Sequence, residues 1–146
     1  MHFLDVLTIL LTVSMLGTEF TVSAILNPAL GTLDQTTWLK TMPVLARVMG
    51  RVMPFWYALG LLLIAAEGYF HYDAPSRWWF GAAILLWVAG IVYSVTMLVP
   101  INNRIAQANA PAASSTSAEH KRWDALHRWR VVLLLIATSC LLWAIA

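Results

Sequence analysis

Residues 78–101 read WWFGAAILLWVAGIVYSVTMLVPI and contain no charged side chain. About 20 such residues in a helix cross the hydrocarbon core of a bilayer, so this stretch predicts a transmembrane helix. Three further stretches are predominantly apolar, at 3–29, 47–70 and 126–146, and the last helix is expected to span 122–146. Period-two alternation is absent from the sequence, which argues against a transmembrane β-barrel. The chain is therefore expected to be an all-α, integral membrane four-helix bundle, with residues 1–146 forming a single domain.

The composition agrees with this class of protein. Hydrophobic residues make up 60 % of the 146-residue chain and charged residues 11 %, whereas ordinary soluble domains contain about 25 % charged residues. A soluble domain of this size could not cover so much apolar surface. The single cysteine, Cys140, cannot form an internal disulfide, which excludes the four-helix membrane enzymes that oxidise thiols. The expected partner is thus the lipid bilayer, and no nucleic-acid partner is expected.

The distribution of basic residues predicts the orientation. All of the Lys and Arg residues except Arg77 lie on or near the first and third connections between these helices. By the positive-inside rule, these two connections face the cytoplasm and both termini lie outside, in a bacterial inner membrane. A basic functional site at the same end would imitate this pattern. The third connection, 106–120, is rich in Ala and Ser and is expected to be a flexible loop.

The last helix raises a problem of length. Its uncharged part, residues 131–146, would span only about 24 Å of a hydrocarbon core of about 30 Å. Residues 126–130 must therefore enter the membrane as well. Arg130 then lies about 9 Å inward from the cytoplasmic end, and Glu19 of the first helix lies about 12 Å inward from the same end. A charge costs about 2.5–3.5 kcal/mol at the centre of a bilayer, so we expect these two residues to pair inside the bundle.

Helical spacing brings further polar side chains to this end of the bundle. Residues three, four or seven positions apart lie on one face of a helix, and three of the helices present such a polar face. These faces contain Glu19, Ser23 and Asn27 on the first helix, Tyr93 and Asn103 on the third, and Trp123, His127 and Arg130 on the fourth. Asn102 and Asn103 are then expected to cover a polar pocket. The alternatives are that the asparagines only cap a helix and that Glu19 and Arg130 form a purely structural ion pair.

Two segments carry a resemblance to a known family. Residues 99–106 read VPINNRIA, and residues 123–133 read WDALHRWRVVL. The chain resembles the anthrone oxygenases, small four-helix membrane proteins with many bacterial members of unknown function. Their Pro-x-Asn-x-x motif is followed by a Trp, a His or Asn, and an Arg. The corresponding residues here are Pro100, Asn102 or Asn103, Trp123, His127 and Arg130. The resemblance implies oxidation of anthrones to anthraquinones by O₂ without a known cofactor.

The residues suit this chemistry. An anthrone loses a benzylic proton readily because the resulting anion is a delocalised phenolate. His127 is the predicted base, since the ordinary imidazole pKa of about 6.5 suits neutral pH, and Glu19 would orient it or replace it. Arg130 would hold the developing oxyanion, with Asn103 as a neutral donor. The other predicted substrate-binding residues are Asn102, Asn27, Tyr93, Trp123 and Trp129, the tryptophans stacking on a flat aromatic substrate. O₂ is the expected co-substrate, and no metal is expected.

Other functions fit parts of the pattern. Glu19 could serve a proton-coupled small-molecule transporter, although an arginine in the same pocket would neutralise a cation-binding carboxylate. A haem- or quinone-binding bundle, with His71 or His127 facing the cofactor, is a further alternative. A membrane adaptor without chemistry would lack an enclosed pocket around Glu19. Glu67 and His71 could hold a metal, but two ligands are a weak signal. The sequence also leaves a homo-oligomer open.

Overall fold

The computed structural model describes residues 3–107 and 113–146, with the side chains of 113–117 outside the description. Within these ranges the chain is helical and contains no strand. The four helices are α1 (Phe3–Leu30), α2 (Gln35–Phe70), α3 (Arg77–Gln107) and α4 (Ala113–Ile145). All four are long and apolar enough to span a membrane. The prediction of an all-α integral membrane protein with four spanning helices is confirmed.

The helices form a closed ring of contacts. Each packs against two neighbours, in the order α1, α2, α3, α4 and back to α1. Two apolar clusters fill the interior at different depths. One contains Met15, Tyr57, Ile64, Phe80, Trp87, Leu134 and Leu141, and the other contains Leu30, Trp38, Met42, Ala46, Ile101 and Ile105. Along α1, the buried Glu19 lies between the residues that contribute to these two clusters, so the bundle encloses a charge between two apolar layers.

The sequence predicts that helix α2 begins at residue 47, but in the structure it begins at Gln35. The Asp34 carboxylate accepts hydrogen bonds from the backbone N–H groups of Thr36 and Thr37, at 3.0 and 3.1 Å. This is an N-cap, which satisfies donors that a helix start leaves free. Hydrogen bonds, above all from Thr37, hold the pKa of Asp34 below its ordinary value. The cap starts the helix upstream of Pro43, which therefore lies inside it.

The third connection is shorter than predicted. Residues 106–107 belong to α3 and residues 113–120 to α4, so most of the expected flexible loop is helical. Residues 108–112 of that loop lie outside the described residues. Alanine is the strongest helix former and serine is intermediate, so an Ala/Ser-rich composition does not by itself predict a loop. An ion pair between Arg104 and Glu119 joins the two helix ends.

Two π turns interrupt the α-helical hydrogen bonding within the described ranges. They lie at Val22–Leu26 of α1 and at Ser94–Leu98 of α3. A π turn is wider than an α turn, and such turns are frequent at functional sites. The first begins three residues after Glu19, and the second begins at Ser94, whose hydroxyl oxygen lies 3.2 Å from Arg130 Nη1. Both π turns therefore border the same buried region.

Gly60 allows α2 and α3 to approach each other closely. The indole N–H of Trp87 donates to the backbone carbonyl of Tyr57 at 3.0 Å, and a Cβ atom at position 60 would overlap the Trp87 ring. We expect Gly60→Ala to lower the free energy of unfolding by about 1–3 kcal/mol, the usual cost of overpacking a core. Unfolding of the purified protein in detergent micelles measures this change.

Gly81→Ala is the matched control for this prediction. A Cβ atom at Gly81 meets no other atom within 4 Å, and alanine is favoured over glycine in a helix by about 1 kcal/mol. This variant should be as stable as the wild type or slightly more stable. Equal destabilisation by the two substitutions would contradict the close approach at Gly60.

Candidate functional site

A charged pair lies inside the bundle. Arg130 of α4 donates to Glu19 of α1, with 2.6 Å between Nη2 and Oε2. Both residues are buried, with 7 % of Arg130 and 1 % of Glu19 exposed. An unpaired charge within a membrane span is costly, and the pairing expected from the depth of the two residues is confirmed.

His127 joins this pair through both of its ring nitrogens. Nδ1 accepts from Arg130 Nη2 at 2.9 Å, and Nε2 donates to the backbone carbonyl of Glu19 at 3.2 Å. This pattern is that of a neutral imidazole with its proton on Nε2. The Trp123 ring stacks on the imidazole, with 4.6 Å between the ring centroids. Both nitrogens are engaged in hydrogen bonds. His127 is therefore better suited to position Arg130 and Glu19 than to act as the predicted base.

Tyr57 and Ser94 complete the cluster, and neither of them is among the site residues predicted from the sequence. The Tyr57 hydroxyl donates to Glu19 Oε1 at 3.2 Å, and the guanidinium of Arg130 lies over the Tyr57 ring at 5.6 Å from its centroid. Ser94 accepts from Arg130 Nη1 at 3.2 Å and donates to the carbonyl of Gly90 at 2.6 Å. Arg130 is therefore fixed by four side chains, from all four helices.

A cavity of about 270 Å³ lies beside the cluster. It is formed between α2 and α3, and Trp123 and Arg130 of α4 also line it. Its apolar wall includes Met49, Met53, Pro54, Ala58, Leu61, Ile91, Val95 and Leu98. Tyr57, Ser94 and Asn102 add hydroxyl and amide groups to the lining. Ala58 and Val95 are exposed within the spanning parts of their helices, so the cavity opens toward the lipid.

Asn102 and Trp123 are the predicted substrate-binding residues that line this cavity. The Asn102 amide donates to the backbone carbonyl of Ala46 at 2.9 Å, which ties α3 to α2. Its Nδ2 lies 3.1 Å from the position that a Cβ atom would take at Gly50. A glycine at this point of α2 therefore leaves space for the amide.

Asn27 and Tyr93 serve as links between helices. The Asn27 amide donates to Asp124 at 2.6 Å, and the Tyr93 hydroxyl donates to the backbone carbonyl of Leu126 at 3.2 Å. Both bonds join α4 to another helix, and neither residue lines the cavity of about 270 Å³.

Asn103 and Trp129 are exposed, and neither lines this cavity. The buried face of the second half of α3 passes through Ser94, Leu98, Ile101 and Ile105. The predicted face, from Tyr93 to Asn103, is displaced from it by about one residue. The amide donor at the cavity is therefore Asn102 and not Asn103, which corrects the expectation that Asn103 lies at the site.

Fold and site together define a class: a four-helix membrane protein with a buried ion pair at a cavity open to lipid. The family model for anthrone oxygenase matches residues 38–140, and the chain belongs to the anthrone oxygenase family. No curated protein and no solved structure matches the chain. The matched range includes Tyr57, Ser94, His127 and Arg130, whereas Glu19 precedes it.

Proposed function

We propose that the protein is a membrane oxygenase that oxidises a flat, hydrophobic aromatic substrate of the anthrone class with O₂. The observation that carries this proposal is Arg130, a guanidinium lining an apolar cavity in a chain of this family. Its Nε is buried and has no hydrogen-bond partner among the described residues, and we propose that this donor turns toward a substrate oxygen when the substrate binds. Loss of the substrate proton places negative charge on that oxygen, and a fixed cation stabilises it.

Tyr57 and Glu19 provide the proposed path for the substrate proton. Tyr57 lines the cavity, and its hydroxyl is bonded to the carboxylate of Glu19, which does not line it. When the benzylic C–H bond breaks, its proton goes to the Tyr57 oxygen as the hydroxyl proton of Tyr57 passes to Glu19. The electron pair stays on the substrate as a phenolate held by Arg130. His127 then acts as a positioning residue, in place of the expected base.

The substrate anion reacts with O₂ in the next proposed step. A C–O bond forms at the benzylic carbon, and the proton held by Glu19 returns through Tyr57 to give a hydroperoxide. Loss of the second benzylic proton and cleavage of the O–O bond, with departure of water, leave a carbonyl group. One anthrone and one O₂ thus give one anthraquinone and one water. O₂ is the only oxidant in these reaction steps. One of its oxygen atoms enters the anthraquinone and the other enters the water.

The bilayer is the proposed source of both reactants, because the cavity opens toward lipid and both dissolve well in hydrocarbon. We also propose the orientation predicted from the basic residues, with this end of the bundle toward the cytoplasm. The transport alternative loses support because Arg130 neutralises Glu19 directly, at 2.6 Å.

Blocking the cavity should slow the reaction. Ala58 belongs to the lining and is exposed, so Ala58→Phe places a ring where the substrate is proposed to enter. We expect anthraquinone formation to fall by about 10- to 100-fold, because small displacements of a bound substrate have effects of this size. O₂ consumption and anthraquinone absorbance, measured in proteoliposomes with a simple anthrone and corrected for spontaneous oxidation, test the prediction.

Leu59→Phe is the matched control, since Leu59 is also exposed but does not line the cavity. It should retain the wild-type rate. Wild-type protein without turnover above the spontaneous rate would overturn the proposed substrate class. Equal losses in the two variants would overturn the proposed entrance and leave the substrate class standing.

A further inference from the structure

A second polar cluster lies at the opposite end of the bundle from Arg130. It consists of Asp5 near the start of α1, Glu67 in the last turn of α2 and His71, which directly follows α2. Asp5 precedes Glu19 by about 21 Å along α1. Asp5 and Glu67 are buried, at 6 % and 0 % exposure, and the His71 side chain is 33 % exposed. The cluster is therefore separate from the proposed oxidation site and accessible from the end of the bundle.

The three side chains converge as metal ligands do. One potential ligand atom from each of Asp5, Glu67 and His71 lies within 4.8 Å of the other two. Ligand atoms bound to one zinc ion at 2.0–2.2 Å lie about 3–4 Å apart, so a small contraction brings all three into coordination. The Thr8 hydroxyl donates to Glu67 Oε1 at 3.2 Å, and the His71 ring stacks on Phe80 at 5.2 Å. The first contact orients the Glu67 carboxylate and the second orients the His71 ring, and both are potential metal ligands.

The second carboxylate oxygen of Glu67 provides an independent indication of a ligand. Oε2 is fully buried, and no hydrogen bond reaches it in the part of the chain that the structure describes. Oε2 lies 3.5 Å from His71 Nδ1, and this nitrogen is also 3.0 Å from the backbone carbonyl of Glu67. A buried carboxylate is costly unless its charge is paired or bound to a metal.

A divalent cation would balance the charge of this site. The carboxylates of Asp5 and Glu67 together carry two negative charges when both are ionised. A proton shared between the two acids is the competing arrangement, and metal binding distinguishes the two. A divalent cation balances both charges and gives Glu67 Oε2 its partner.

We propose that Asp5, Glu67 and His71 bind one divalent transition-metal ion of the zinc type. One imidazole nitrogen and two carboxylate oxygens are donors that Zn²⁺ and Co²⁺ accept, and a fourth position is left for water. The bound ion joins the start of α1 to the end of α2. It is independent of the oxidation chemistry, since the ion lies at the other end of the bundle.

Cobalt binding by the full-length protein tests this proposal. Protein carrying no histidine tag is treated with a chelator and titrated with Co²⁺ in detergent micelles. We expect one cobalt per chain, visible d–d absorption typical of low coordination number, and displacement of the cobalt by Zn²⁺. We expect Glu67→Gln and His71→Ala to weaken binding by at least about tenfold, since each removes a direct ligand. Glu119→Gln, which removes a carboxylate elsewhere, should bind as the wild type does.

Wild-type protein also gives a readout that does not depend on any variant. Zn²⁺ should raise the midpoint of its thermal unfolding, because the ion binds only the folded site, and a chelator should reverse the shift. The proposal would be overturned if folded wild-type protein showed neither the cobalt absorption bands nor a zinc-dependent shift of the unfolding midpoint. Unchanged affinity in Glu67→Gln and His71→Ala would also overturn it. The wild type could also bind no cobalt and be less stable than Glu67→Gln. That result would overturn the metal site and indicate that Asp5 and Glu67 share a proton instead.

Discussion

Arg130→Gln is expected to lower kcat/KM for anthrone oxidation by about 100- to 1,000-fold, the usual loss when one oxyanion donor is removed. Glutamine keeps a neutral donor but removes the cation that holds the phenolate. Arg130→Lys keeps the charge but not the planar arrangement of donors that contacts Glu19, His127 and Ser94, so it should recover only part of the activity. Initial rates of O₂ consumption at several substrate concentrations give these values.

Arg128→Gln is the matched control. Arg128 lies on the same helix, is exposed, and pairs with Asp124 at 2.9 Å. Its loss should leave kcat/KM unchanged, because exposed ion pairs contribute little. A folded Arg130→Gln protein with wild-type kcat/KM would rule out the proposed role of the guanidinium.

Glu19→Gln is expected to lower the free energy of unfolding by about 3–5 kcal/mol, because it leaves the charge of Arg130 buried without its counterion. The double variant Glu19→Gln/Arg130→Gln removes both charges and should recover most of this loss without recovering activity. Unfolding in detergent micelles, followed by circular dichroism, measures the stabilities. A double variant no more stable than Glu19→Gln alone would show that packing, and not charge, determines the loss.

Tyr57→Phe separates proton transfer from charge pairing. Phenylalanine keeps a ring beneath Arg130 and leaves the Glu19–Arg130 pair intact, so the loss of stability should be about 1 kcal/mol, that of one hydrogen bond. We expect kcat to fall by about 100-fold or more, the range of general acid–base catalysis, with little change in KM. Wild-type kcat in this variant would refute the proton path through Tyr57 while leaving the role of Arg130 standing.

The fold was largely predictable because its main determinant is composition. Four apolar stretches of sufficient length identify the four spans, and the short uncharged part of α4 already requires Arg130 to enter the membrane. The cost of that charge then predicts its pairing with Glu19. The helix ends were less predictable, since Asp34 starts α2 upstream of Pro43 through two hydrogen bonds.

The site was only partly predictable because a rotation of one residue around a helix axis changes which side chain faces inward. On α3 the polar residues suggested a face through Asn103, whereas packing places Ser94 and Asn102 toward the cavity. The hydroxyl of Ser94 is inconspicuous in sequence, because serine in a helix commonly bonds to its own backbone. Tyr57 is also inconspicuous, because tyrosine is a common residue of membrane-spanning helices near the interfaces. Their approach to Arg130 depends on how the helices pack.

The apolar wall of the cavity and the charged cluster are built from different side chains, although Tyr57, Ser94 and Arg130 of the cluster also line the cavity. Met53, Ala58 and Val95 shape the cavity, and none of them contacts the ion pair through a hydrogen bond. We therefore expect the wall to tolerate exchange among apolar residues, each exchange changing which ring system fits. Glu19 and Arg130 would remain in place throughout. A fold divided in this way lets evolution alter substrate choice in small steps while one set of reacting groups is inherited unchanged.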